Sequence, residues 1–287
     1  MRLLLIFICL FSTFYLPCLN AQASLKKIEK ILDKSEASAP MTKDLSTLHE
    51  LMVSATQDSK LAAEAKTWYL SARAFNLLYR NAATYPAVGE TKAIEQVRRA
   101  GARAEQLGDE SQPYVVLTKA EVSSLYNDLL NKGTKAYNQQ QYDLTLGSFE
   151  QATVLAPRDT TALLYAATLA AETGKPKLAR TLFERLLVLT PDNFDANYSY
   201  ALLLSQEADP YYQQVNALSD ADYPQKSPPL IEQANQALAR SLPYWEAARN
   251  AQPTDKNVLL ALKMVYTRLA NKDALKEVNT KLAELGY

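Results

Sequence analysis

Cysteine is all but missing. The two present, Cys9 and Cys18, both fall within residues 1–23. A chain trimmed of that segment has no thiol, which excludes a cystine framework and thiol nucleophiles. Histidine occurs once, as His49, and "HELM" lacks the second histidine that a zinc helix needs, so no metal is expected. His49 is expected to face solvent or to make a local hydrogen bond. No glycine-flanked serine stands ready for such a base, so serine hydrolase chemistry lacks its parts. Gly174-Lys175 runs into Pro176 with no glycine five residues earlier, so there is no phosphate loop. "SDADYP" is too short for a calcium loop. No cofactor is expected. Seven glycines in 287 residues leave little of the turn grammar of sandwiches and barrels. Excess charge is absent too: 31 basic residues face 31 acidic ones, which argues against nucleic acid and anionic membrane surfaces as partners. The scattered carboxylates read as solvated helix faces.

Ala, Leu, Lys, Glu and Gln dominate what is present, and they favour helix. The chain opens with Arg2, then "LLLIFICLFSTFYLPCL", then small residues at Ala21 and Ala23. That order reads as a secretory signal over residues 1–23, cleaved after Ala21 or Ala23. An uncleaved anchor is the alternative, but Ser12, Thr13 and Pro17 break the apolar run. Pro17 also sits where a lipidated Cys18 would need a small residue. Only Arg2 is charged in this segment, so its removal leaves 30 basic residues against 31 acidic.

The main signal is internal repetition. "YDLTLGSFEQATVLAPRD" (142–159) and "PKLARTLFERLLVLTPDN" (176–193) share a leucine, a Phe-Glu pair, a Val-Leu pair and a proline at a spacing of 34. With Tyr126 and Thr160 as first positions, position 8 is Gly133 and Ala167, and position 11 is Ala136 and Ala170. Position 20 is Thr145 and Ala179, position 24 is Phe149 and Phe183, and position 32 is Pro157 and Pro191. Small residues let two helices approach, and a ring fills the space toward the next pair. Gly174 and Pro176 mark a helix end and a helix start. The terminal prolines stop the second helix. One such hairpin cannot bury both faces, so hairpins must stack.

This 34-residue pattern resembles the tetratricopeptide repeat. The resemblance is closest over 160–193 and good over 126–159, where Lys132 and Thr145 depart from the preferred leucine and alanine. A third unit, 194–254, starts with "FDANYSYALLLSQEA" and ends at Trp245, Ala248 and Pro253. It carries an insertion read as an elongated helical hairpin around a "DYPQKSPP" loop, with Pro243 bending the return helix. Residues 255–287 form a capping hairpin with stripes Leu259, Leu262, Tyr266, Leu269 and Leu275, Val278, Leu282, Leu285. Residues 24–125 read as diverged helical repeats, with Trp68, Ala72 and Phe75 at positions 4, 8 and 11 of one helix. The expected fold is all-α: a solenoid of stacked antiparallel hairpins, about twelve helices in all. The arrangement is similar to exported repeat proteins of Gram-negative bacteria, especially Bacteroidota, which implies a periplasmic, non-enzymatic role.

In this family the first helix of each unit lines a groove, at positions 2, 5, 9, 12 and 13. Carried over, these are Asn127, Leu130, Thr134, Tyr137 and Asn138, then Thr161, Leu164, Thr168, Ala171 and Glu172, then Asp195, Tyr198, Leu202, Ser205 and Gln206. The tyrosines suit peptide capture, or else pack against adjacent helices. Family members that hold acidic chaperone tails use lysine, asparagine and arginine where this chain has Leu130, Thr134, Tyr165, Asp195 and Ser199, so that partner is not expected. Tyr211, Tyr212 and Tyr223 in the insertion form a second candidate surface, a docking knob or a flap folded onto the solenoid. Self-association through it is left open. Asn197-Tyr198-Ser199 fits a glycosylation sequon but falls inside a helix. The leading reading is a non-catalytic scaffold of the cell envelope that binds a protein or peptide. The rival is a glycan- or envelope-polymer-associated accessory protein.

Overall fold

The computed structural model describes residues 22–287, so the expected secretory segment lies outside it apart from its last two residues. The described chain is all helical and divides into two compact units, ending at Pro157 and beginning at Arg158. The first holds α1 (22–37), α2 (Thr42–Gln57), a 3₁₀ turn (Leu61–Ala63), α3 (Ala65–Arg80), α4 (Glu90–Leu107), α5 (Pro113–Asn138) and α6 (Tyr142–Leu155). Helix α3 is its centre, packed by α2, α4 and α5, while α6 closes on α4 and α5. The second holds α7 (Thr160–Glu172), α8 (Pro176–Leu189), α9 (Phe194–Gln206), α10 (Asp209–Asn216), α11 (Tyr223–Ala251), α12 (Lys256–Arg268) and α13 (Lys272–Glu284). Here α7 pairs with α8, α9 with α11, and α12 with α13.

The repeat explains itself at three places. At position 34, Asp159, Asn193 and Asp255 each cap the next helix, accepting from the backbone N–H of Ala162, Ala196 and Val258 at 3.1, 2.8 and 2.9 Å. Each cap contributes about 1 kcal/mol. At position 15 the chain turns left-handed, with Gln140 at φ 60°, Gly174 at 71° and Ala270 at 55°. The next N–H in each case reaches back five residues, Gln141 to Ala136, Lys175 to Ala170 and Asn271 to Tyr266. That is the bond that closes a Schellman turn. Ala270 is exposed and lacks the glycine that fits there, so Ala270→Gly should raise stability by about 0.5–1 kcal/mol, read as a shifted denaturation midpoint. The third place is position 25. Glu184 and Glu246, each following the ring at position 24, accept hydrogen bonds from Tyr200 and Tyr266 at 2.8 and 2.7 Å. In these two units the glutamate after the ring thus ties one hairpin to the next.

Two departures from the sequence reading have local causes. "DYPQKSPP" is not a loop: α11 starts at Tyr223 and contains Pro228, Pro229 and Pro243. Pro224 lies in the first turn, where no N–H is missed, and the remaining prolines each remove one bond from a helix held by its packing. The true turn is 217–222. The boundary expected at Tyr126 falls inside α5, because that helix begins at Pro113 and its early turns pack on α3. Asn76, 1% exposed, donates there to the Glu121 backbone and carboxylate at 2.9 and 2.7 Å. Lys132, the departure at position 7, reaches Glu90 at 2.8 Å across to α4 and lies 5.7 Å above the Tyr79 ring.

Candidate functional site

In the first unit the first-helix positions lie on the last turns of α5. Leu130 is half-buried, and the Thr134 hydroxyl bonds to its carbonyl at 2.9 Å, so that hydroxyl is already committed. Asn127 and Asn138 are exposed. Tyr137 is 49% exposed and meets Tyr142 edge-on at 5.8 Å.

In the second unit the same positions fall on α7 and α9. Leu164 and Thr168 are half-buried. Tyr198 is held between Phe194 at 5.8 Å and Trp245 at 5.3 Å, the latter edge-on, so it packs its own unit together. Leu202 is 42% exposed. Sequence reasoning missed two further residues. Counted from Lys256, the capping hairpin puts Leu260 and Met264 at positions 5 and 9, and both are 42% exposed. Continuing the period one unit further would have found them. Leu202 and Met264 hold position 9 of their first helices and Leu260 position 5, positions that stacking of hairpins directs to one face. Lys263, exposed, stands beside Met264.

The insertion is tied down unevenly. Tyr211 and Tyr212 pack against the core made by α9, α11 and α12. The Arg268 guanidinium lies 4.5 Å above the Tyr212 ring, and burial pushes that phenol's pKa up. Tyr223 remains exposed at the start of α11. Asn197 of the sequon is 2% exposed, and its amide nitrogen donates to the Pro191 and Asn193 carbonyls at 2.8 and 2.9 Å. The folded chain therefore hides it from glycosylation.

The carboxylates belong to the frame. Burial, with the bond to Glu246, raises the Tyr266 pKa to about 12, and Tyr200 is pushed up the same way beside Glu184. Glu207 joins Arg180 and Arg240. Among the described residues, no group of three or more His, Cys, Asp or Glu side chains could hold a metal. Also among them, no helix is long and apolar enough to cross a membrane.

His49 is half-buried and not solvent-facing. Its Nδ1 lies 3.3 Å from the Tyr85 hydroxyl, while Nε2 is buried without a partner. Burial lowers its pKa, helped by Lys92 and opposed by Glu50. The unfolded chain then binds the proton more readily. Stability should rise with pH between the depressed folded value and about 6.5, and fall as acid is added below that. Denaturation midpoints at pH 7.5 and 5.5 should separate less in His49→Gln than in the native chain; equal separations would contradict a disfavoured imidazolium.

A tetratricopeptide repeat model matches residues 130–194 and 166–206. The match ends at the last residue of α9, where the insertion begins. No curated protein matches. Among solved structures, the crystal structure of the P58(IPK) TPR domain aligns at 12% identity over 91% of this chain and 84% of that one, with a TM-score of 0.31. Over the matched residues the chain is built of tetratricopeptide repeats, a typically non-catalytic repeat that generally serves as a protein-interaction scaffold.

Proposed function

We propose that this chain is an exported, non-catalytic scaffold of the cell envelope that binds a protein segment on the first-helix face of its second unit. The observation that carries the reading is the exposure of Leu202, Leu260 and Met264 at matching repeat positions. Each leaves apolar area in water that core-facing neighbours such as Leu203, Leu259 and Leu262 do not. Such side chains, spaced along parallel helices, suit the apolar anchors of a peptide or helix. The repeat family supports a binding role, and the basic, then apolar start of the sequence supports export.

The test is binding of envelope proteins to the immobilised chain, beside a Leu202→Asp, Met264→Asp variant. Both positions are surface ones, so the variant should keep its helical signal and melting point. A partner retained by the native chain and lost by the variant is the expected result, with affinity down at least tenfold. A partner held equally by both would move the site elsewhere. Capture of nothing by either would remove the scaffold reading.

A further inference from the structure

The turn between α5 and α6 reads Tyr137-Asn138-Gln139-Gln140-Gln141-Tyr142. All six side chains are exposed, and among the described residues none of the four amides has a hydrogen-bond partner. The backbone beneath them is fixed: Gln139, Gln140 and Gln141 donate their N–H groups to Ala136, Tyr137 and Ala136 at 3.0, 2.9 and 2.9 Å. The two rings, 49% and 44% exposed, brace each other edge-on at 5.8 Å with 65° between their planes.

Nothing in the repeat demands this composition. The next unit makes the same turn with Ala171, Glu172, Thr173, Gly174, Lys175 and Pro176. There glycine takes the left-handed position, and proline starts the helix where Tyr142 stands. The first unit instead holds Gln140 at φ 60°, a conformation that disfavours a side chain, and leaves two rings in water. Ala270 breaks the same backbone rule, so what sets this turn apart is the pair of exposed rings and the run of exposed amides.

We propose that this turn is a binding site for a neutral pyranose chain. A pyranose presents an apolar face for an aromatic ring and hydroxyls around its edge. Those hydroxyls both donate and accept, and a carboxamide does the same with one planar group. The turn offers two rings and four such groups, with no carboxylate or ammonium among its six side chains. None of these six side chains offers a charged peptide a counter-charge, and an apolar helix would meet amides where it needs a continuous apolar surface. The site is separate from the Leu202, Leu260 and Met264 face and does not depend on it.

The test measures binding of cellohexaose, maltohexaose and chitohexaose to the chain by calorimetry and by line broadening of the sugar resonances. At least one should bind. Tyr137→Ala and Tyr142→Ala should each weaken it about tenfold, and Gln139→Ala with Gln141→Ala should weaken it while the melting point holds. Leu202→Asp, Met264→Asp should leave it unchanged, which keeps this outcome distinct from that of the peptide-binding test. Absence of binding to all three sugars at millimolar concentration would overturn the proposal. So would binding that survives Tyr137→Ala, Tyr142→Ala together. Preference for chitohexaose would point to an N-acetylated wall polymer; preference for either of the others would point to a glucan.

Discussion

Trp245→Ala should destabilise the second unit by about 3–5 kcal/mol, in the range for a fully buried large ring. Trp245 is 2% exposed and fills position 24 of the third hairpin. Its Nε1 donates to the Ser205 hydroxyl at 3.0 Å, and its ring meets Tyr198 edge-on. Truncation removes the ring, opens a cavity too enclosed to collapse, and leaves a buried hydroxyl without its donor. Trp245→Phe separates the parts: it keeps most of the volume and loses the N–H, so it should cost about 1–2 kcal/mol. Equilibrium denaturation reads both. A Trp245→Ala cost below about 1 kcal/mol would mean that the α9–α11 contact does not hold the third hairpin together.

Gly133→Ala should also destabilise, although alanine is the better helix former by about 1 kcal/mol. A Cβ at position 133 would stand 2.6 Å from Cε1 and 2.9 Å from Cδ1 of Phe149. Those are ring atoms of a residue only 7% exposed, so the whole ring must move. Overpacking of this kind costs roughly 1–3 kcal/mol, which offsets the propensity gain of about 1 kcal/mol and leaves a net loss of up to about 2 kcal/mol. The control is a double-mutant cycle. In a Phe149→Leu background the clash disappears, and the same Gly133→Ala change should become stabilising by up to about 1 kcal/mol. A loss of the same size in both backgrounds would place the cost somewhere other than in the ring contact.

The parts of the fold that repeat were legible, because each repeated residue has one physical task. Gly133 and Phe149 announce a close helix contact, and Pro157 and Pro191 announce a stop. Parts that occur once were harder. "DYPQKSPP" has the composition of a loop, yet it is the first part of a helix that packs on α10, which no local rule reveals. Tyr198 and Tyr137 look alike in the sequence, and only the position of Trp245 distinguishes a packing ring from an exposed one. His49 gave no sign of its burial, since Tyr85 and Phe75 approach it from other elements. Leu260 and Met264 were hidden by treating the last hairpin only as a cap. The Asp or Asn ending "PRD", "PDN" and "PTD" was visible as a pattern, but its partner N–H lies in the following unit.

That last feature bears on how such an array grows. Asp159 and Asn193 each end one 34-residue period, Asp255 ends the longer third unit, and each starts the helix that follows. The heritable period and the mechanical module are therefore out of phase by one residue. A duplication or deletion of 34 residues, wherever its ends fall, carries a cap along with every helix it adds or removes. An excised fragment is different: one that starts at Thr160 leaves its first helix without the aspartate that caps it. A fragment that starts one residue earlier keeps its cap, so a single unit cut from this chain should run from 159 to 192 and not from 160 to 193.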